Sequence, residues 1–129
     1  MNKFLLVLIL IVSTQLSANT IQDCTPKIIK ARMSVLNMLA GKIDKAQQDL
    51  IIDSCEQAKS CLNELKAPAG KDVKLAEIKM IWTEYTATID KDIVPKILAK
   101  KIPEAKKLED GVQNERIENL KKLMKVVGE

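Results

Sequence analysis

Few residues in this 129-residue chain have the chemistry to do more than pack or dissolve. They are three cysteines (Cys24, Cys55 and Cys61), two arginines (Arg32 and Arg116) among 21 basic residues, and the aromatic pair Trp82 and Tyr85. There is no histidine, which removes His-dependent triads, imidazole bases and imidazole metal ligands. No Gly-rich phosphate loop, nucleophile motif or marked pair of carboxylates is present. A carboxylate di-metal bundle would want Glu-x-x-His. The chain therefore reads as a non-enzyme, with no catalytic residue, metal or cofactor expected.

The cysteines suit one bridge and one leftover thiol. Cys24 and Cys61 lie nearly equidistant from a turn at Gly41-Lys42, so a symmetric hairpin register sets them opposite each other. A Cys24–Cys61 disulfide is expected. Cys55 and Cys61 cannot pair within one helix, because their separation corresponds to a rise of about 9 Å and a different face. Cys55 is left unpaired, as a small buried side chain, a link between subunits or a reactive thiol. The spacings lack the C-x-x-C clusters of a zinc site.

The arginines sit where a surface charge is not expected. At about 100° per residue, Arg32 falls between Ile28, Leu36 and Leu39, and Arg116 among Val112, Leu120 and Leu123. A guanidinium on an apolar face needs a carboxylate, carbonyls or a bound anion. Its planar fork suits carboxylate or oxyanion geometry. Internal ion pairs, Arg32 with Asp53 and Arg116 with Glu109, would satisfy both without a ligand; otherwise Arg32 and Arg116 are the candidate ligand-binding residues. Trp82 and Tyr85 read either as core aromatics or as the lining of a cleft.

Four helices must position these groups. The first takes Thr25 as N-cap and Pro26 as its first helical residue, and runs to Ala40 before Gly41. The second runs from Asp44 to Lys66, ended by Ala67-Pro68-Ala69-Gly70. The third runs from Asp72 to about Ile93, where Pro95 ends or kinks it, and Ile97 to Lys101 is a turn or its tail. The fourth runs from Pro103 to about Val127. Leu75, Ile78, Trp82, Tyr85 and Ile89 form a seam at helical spacing, and Ala105, Leu108, Val112, Leu120, Leu123 and Val127 form another. Short connections favour antiparallel neighbours, so the fold class is all-α, an up-down-up-down four-helix bundle. Scarce aromatics (Phe4, Trp82 and Tyr85) argue against a β-sandwich or barrel.

Residues 1–18 stand apart from this domain. Lys3, the apolar run Phe4 to Val12 and the small, polar tail Ser13 to Ala18 form a secretory signal pattern, with cleavage expected after Ala18. The apolar run is too short for a membrane span, so no membrane insertion is expected after cleavage. Residues 19–129 then form one domain, periplasmic or secreted. The net charge of +4 is mild and scattered, which argues against nucleic acid as a partner.

Ala31-Arg32-Met33, followed by Leu36 and Leu39-Ala40 and a turn, resembles the first helix of a known periplasmic sensor domain. It is the domain of type IV pilus methyl-accepting chemotaxis transducers (PilJ-like) and of NarX-like nitrate sensor kinases. Ile78-Lys79-Met80-Ile81-Trp82-Thr83-Glu84-Tyr85 looks like that family's hydrophobic-x-x-Trp element, and the resemblance covers roughly Ile28 to Ile89. It departs at Pro26, Lys30 and Ala31, where the family carries Asn and Gly. The resemblance implies a ligand-sensing helical module, in some members binding nitrate or nitrite at a dimer seam through the helix-one arginine, here Arg32. The function expected is thus a stand-alone, exported, non-catalytic binding or sensory module, with a small anion as ligand and a homodimer as its assembly. The alternative is an accessory protein acting on an envelope partner through a helical surface.

Overall fold

The computed structural model describes residues 20–128; the signal pattern and its cleavage position lie outside them. Helix α1 (Ile21–Leu39) begins one turn before the expected Thr25. Its N-cap is Thr20, whose backbone N–H donates to Asp23 Oδ2 at 2.7 Å. Thr20-x-x-Asp23 thus works as an acidic variant of the capping box. Thr25 instead turns its hydroxyl back to the Ile21 carbonyl at 3.1 Å, and Pro26 lies inside the helix. Gly41, at φ 118°, ends α1. There Gly41 N–H bonds the Met38 carbonyl and Lys42 N–H that of Asn37, a Schellman closure.

Helix α2 (Lys45–Asn63) starts as expected at Asp44, whose carboxylate caps Gln47 N–H at 2.8 Å. Cys24 and Cys61 form the expected disulfide, with Cα atoms 5.5 Å apart. Small residues on the facing sides, Ala31 and Ser34 against Ser54 and Ala58, are all buried. They let α1 and α2 lie close, and the Gln47 amide reaches the Ser34 carbonyl at 2.7 Å.

Helix α3 starts as Asp72–Thr88, widens into a π turn at Ile89–Ile93 and continues through Val94–Leu98. Pro95 therefore does not end it. The wide turn, where Val94 N–H reaches Ile89 O, accommodates a residue that lacks an N–H and would crowd the preceding carbonyl. The helix closes at Lys100, φ 62°, in the same Schellman pattern: Lys100 N–H to Ile97 O and Lys101 N–H to Lys96 O. Helix α4 starts as Ile102–Leu108 with Pro103 in its first turn, passes a second π turn at Glu109–Gln113 and ends as Asn114–Gly128.

The four helical rods form an all-α bundle without strands among the described residues. Helix α1 packs most extensively on α2, and α3 on α4, while the α1–α4 seam is looser. The core runs from the disulfide end through Ile78, Trp82 and Tyr85 to Ile93 and Ile97. Lys71 donates to the Val126 carbonyl, tying the start of α3 to the end of α4.

The π turn in α4 revises the expected seam. Buried positions are Ala105, Glu109, Gln113, Ile117, Leu120, Met124 and Val127, spaced by four through the wide turn and by three and four after it. Val112 is turned out to solvent and Leu123 is half-buried. An uninterrupted α-helix would have carried Val112 inward.

Candidate functional site

Both arginines come from helix flanks and neither from a core face. Arg32 leaves α1 toward α4. Its Nη2 donates to Asn114 Oδ1 at 3.1 Å, and its Nε lies 3.6 Å from Glu109 Oε1. Arg116 leaves the other side of α4 toward α3. Its Nη1 donates to Thr88 Oγ1 and Gln113 Oε1, both at 2.7 Å, and its Nε lies 3.8 Å from Glu84. The guanidiniums thus face different neighbours, and the fold does not bring them into one site. Each has a carboxylate near its Nε, buried Glu109 for Arg32 and exposed Glu84 for Arg116, but neither is the one expected. Asp53 is exposed and accepts from Gln57, because its neighbour Ser54 is the residue turned inward. Glu109 is rotated into the core by the π turn and so meets Arg32 instead of Arg116.

Glu109 is the most unusual group of the bundle. It is 1% exposed, and neither carboxylate oxygen has a hydrogen-bond partner among the described residues. Arg32 Nε, the Tyr85 hydroxyl and Ser54 Oγ are also buried without one. Burial pushes the Glu109 pKa above the carboxylate range; Arg32 opposes this and Asp110 adds to it. Burial, then Glu109, likewise pushes the Tyr85 phenol well above its ordinary value. Helical periodicity taken through Pro103 and Gly111 places Val112 in the core; it sets Glu109 on the apolar side but beside Arg116, and it misses Gln113 as a buried group. The available signal was a spacing of four from Ala105 to Ile117.

Trp82 and Tyr85 are core residues, stacked with ring centroids 5.1 Å apart. The indole N–H donates to the Cys55 carbonyl at 3.3 Å, joining α3 to α2. Cys55 is free and half-buried. Burial first, then Asp90 and Glu56, push its thiol up to about 12, so at neutral pH it stays protonated and a poor nucleophile.

A concave feature of the surface follows from the loose α1–α4 seam. A groove of about 640 Å³ runs along it, lined by Ile28, Ile29, Met33 and Leu36 of α1 and by Ile117, Leu120 and Met124 of α4. Ile29 and Met33 on its lip are 54% and 49% exposed. Arg32, Lys121 and Lys125 line it too, and among the described residues no Asp or Glu does. The Arg32 side chain is 24% exposed. Trp82, Tyr85 and Arg116 are not part of it. Such an arrangement can bury an apolar body and meet a negative charge.

Fold and groove define a disulfide-clamped four-helix bundle with an open, mostly apolar groove between α1 and α4. No protein-family model, curated protein or solved structure matches the chain.

Proposed function

We propose that this chain is an exported, non-catalytic helical binding module of sensor-like type, working through the groove between α1 and α4. The observation that carries this reading is the groove itself. Its volume lies in the range of small-molecule sites, roughly 300–1,000 Å³, and its lining is mostly apolar with a few polar groups, as such sites are. Export is supported by the secretory pattern of residues 1–18 and by the disulfide, a bond that persists in oxidising compartments. No helix among the described residues is long and apolar enough to cross a membrane.

Within this reading, Arg32 is the residue through which the sensor resemblance would act. A nitrate or nitrite ion there would use the guanidinium alone and leave the apolar lining unused. An accessory role through protein contacts alone is the second reading, favoured by the exposed Ile29 and Met33.

The test is a fluorescence titration with Nile red, a neutral apolar dye. Saturable binding at one site is expected, abolished by Ile29→Glu with Met33→Glu at unchanged helicity. Absence of saturable binding, or binding indifferent to that double change, would remove the groove as the working surface.

A further inference from the structure

We infer that the groove takes a single-chain amphiphilic carboxylate of the fatty-acid type, its head group on the Arg32 guanidinium and its chain along Ile28, Leu120 and Met124 toward Ile21. This names the ligand class for the groove proposed above and rests on that reading. The argument is one of charge and shape together. All three ionisable side chains that line the groove among the described residues are cationic, so an anionic ligand meets attraction from the lining, and the nearby carboxylate, Glu109, stands outside it beside Arg32 Nε. Lys121 and Lys125 belong to the outer face of α4 and are exposed; their stems can cover an apolar chain while their ammonium groups stay in water. Arg32 alone is set into the wall.

The guanidinium has donors to spare. It carries five N–H groups; its Nη2 is engaged with Asn114, and Glu109 lies beside Nε at 3.6 Å without a hydrogen bond. Nε is buried, so a carboxylate from the groove would take the end-on fork of Nη1 and the second N–H of Nη2. Glu109 lies behind the guanidinium and does not line the groove. Toward Ile21 the other polar lining is the uncharged Gln22 and Thr25 and the exposed Lys121 and Lys125, so Arg32 is the one cation of the lining that is set into the wall. A cationic or neutral amphiphile would gain only the apolar lining. A small inorganic anion would gain only the guanidinium.

The experiment is displacement of Nile red from the purified chain by laurate, dodecanol and dodecyltrimethylammonium, each below the concentration at which it aggregates. Laurate is expected to compete about tenfold more tightly than the other two, the scale of one charge-assisted hydrogen bond. The variant Arg32→Gln with Glu109→Gln removes both charges together. It is expected to keep its helicity and dye binding while losing the preference for laurate. Equal competition by the three amphiphiles overturns the carboxylate assignment and leaves the groove reading standing. So does a preference undiminished in the double variant. Dye binding that never occurs removes both proposals. Sedimentation that finds a dimer converted to monomer by Met33→Glu makes a second copy the occupant and also overturns the assignment.

Discussion

Replacing Glu109 by Gln tests whether its contact with Arg32 holds the bundle together or is tolerated at a cost. At 3.6 Å the attraction between full charges is worth ~5 kcal/mol at an effective dielectric near 20. Stripping a carboxylate of water costs several kcal/mol, and neither Glu109 oxygen recovers a hydrogen bond. The raised Glu109 pKa says that the cost wins. Below the unfolded carboxyl value near 4.5, both states are protonated and there is no penalty. As pH rises from there toward the higher folded value, the folded chain retains a proton that the unfolded chain has lost. Stability then falls, by up to about 1.4 kcal/mol per pH unit while that window lasts. Above the folded value the penalty is constant.

Glu109→Gln keeps the shape and removes the titration, and Arg32, partly exposed, can be hydrated and still holds Asn114. The variant should match the wild type near pH 4 and be at least as stable at pH 7, the gap widening through the window. Urea unfolding followed by circular dichroism at pH 4, 5, 6 and 7 measures this. A loss of about 3–5 kcal/mol at pH 7, the usual result of breaking a well-made buried pair, would refute the reasoning. So would a gap that does not change with pH.

Three further outcomes are expected. Replacing Cys24 and Cys61 together by Ala should lower stability by about 4 kcal/mol, from the closure entropy of a 37-residue separation; a loss under about 1 kcal/mol in chemical denaturation would mean that the helices, not the bridge, fix this hairpin. Lys100→Gly should raise the unfolding free energy by about 1 kcal/mol, because Lys100 holds a left-handed conformation that costs a residue with a Cβ roughly that much; a neutral or negative effect would count against strain at this closure. Cys55, with its thiol pushed up to about 12, should be alkylated at pH 7.5 at least 100-fold more slowly in the folded than in the urea-unfolded chain, since the thiolate reacts; equal rates would show that the thiol is neither buried nor electrostatically suppressed.

The hairpin of α1 and α2 was legible because its determinants are local. A Gly that tolerates positive φ, an Asp N-cap and two cysteines equidistant from the turn set its register, and the register alone brings Cys24 to Cys61. The Trp82–Tyr85 seam followed from periods of three and four. The start of α1 was misplaced because Pro26 gives a strong signal for a first turn, whereas the Thr20–Asp23 box that starts the helix carries Asp where the familiar pattern has Glu or Gln.

The candidate site was legible only in its parts. From spacing alone Arg32 and Arg116 stand out, and so does their need for carboxylates. Which carboxylate each receives depends on two π turns, one beside Pro95 and one containing Gly111. In α3 the wide turn is foreshadowed by Ile89, Ile93 and Ile97, spaced by four. In α4 the corresponding positions are Glu109 and Gln113, whose polarity hides them from any search for an apolar stripe. The groove was not legible at all, since it exists where α1 and α4 fail to close on each other.

By itself, then, the sequence determined the helical class, the disulfide and the short list of residues able to bind or react, because composition, caps and periods act within single helices. Only the tertiary structure decided that Arg32 stands against a buried Glu109 at the wall of an apolar groove. That outcome depends on how one wide turn rotates α4 against α1, a phase that the apolar residues of α4 alone do not carry.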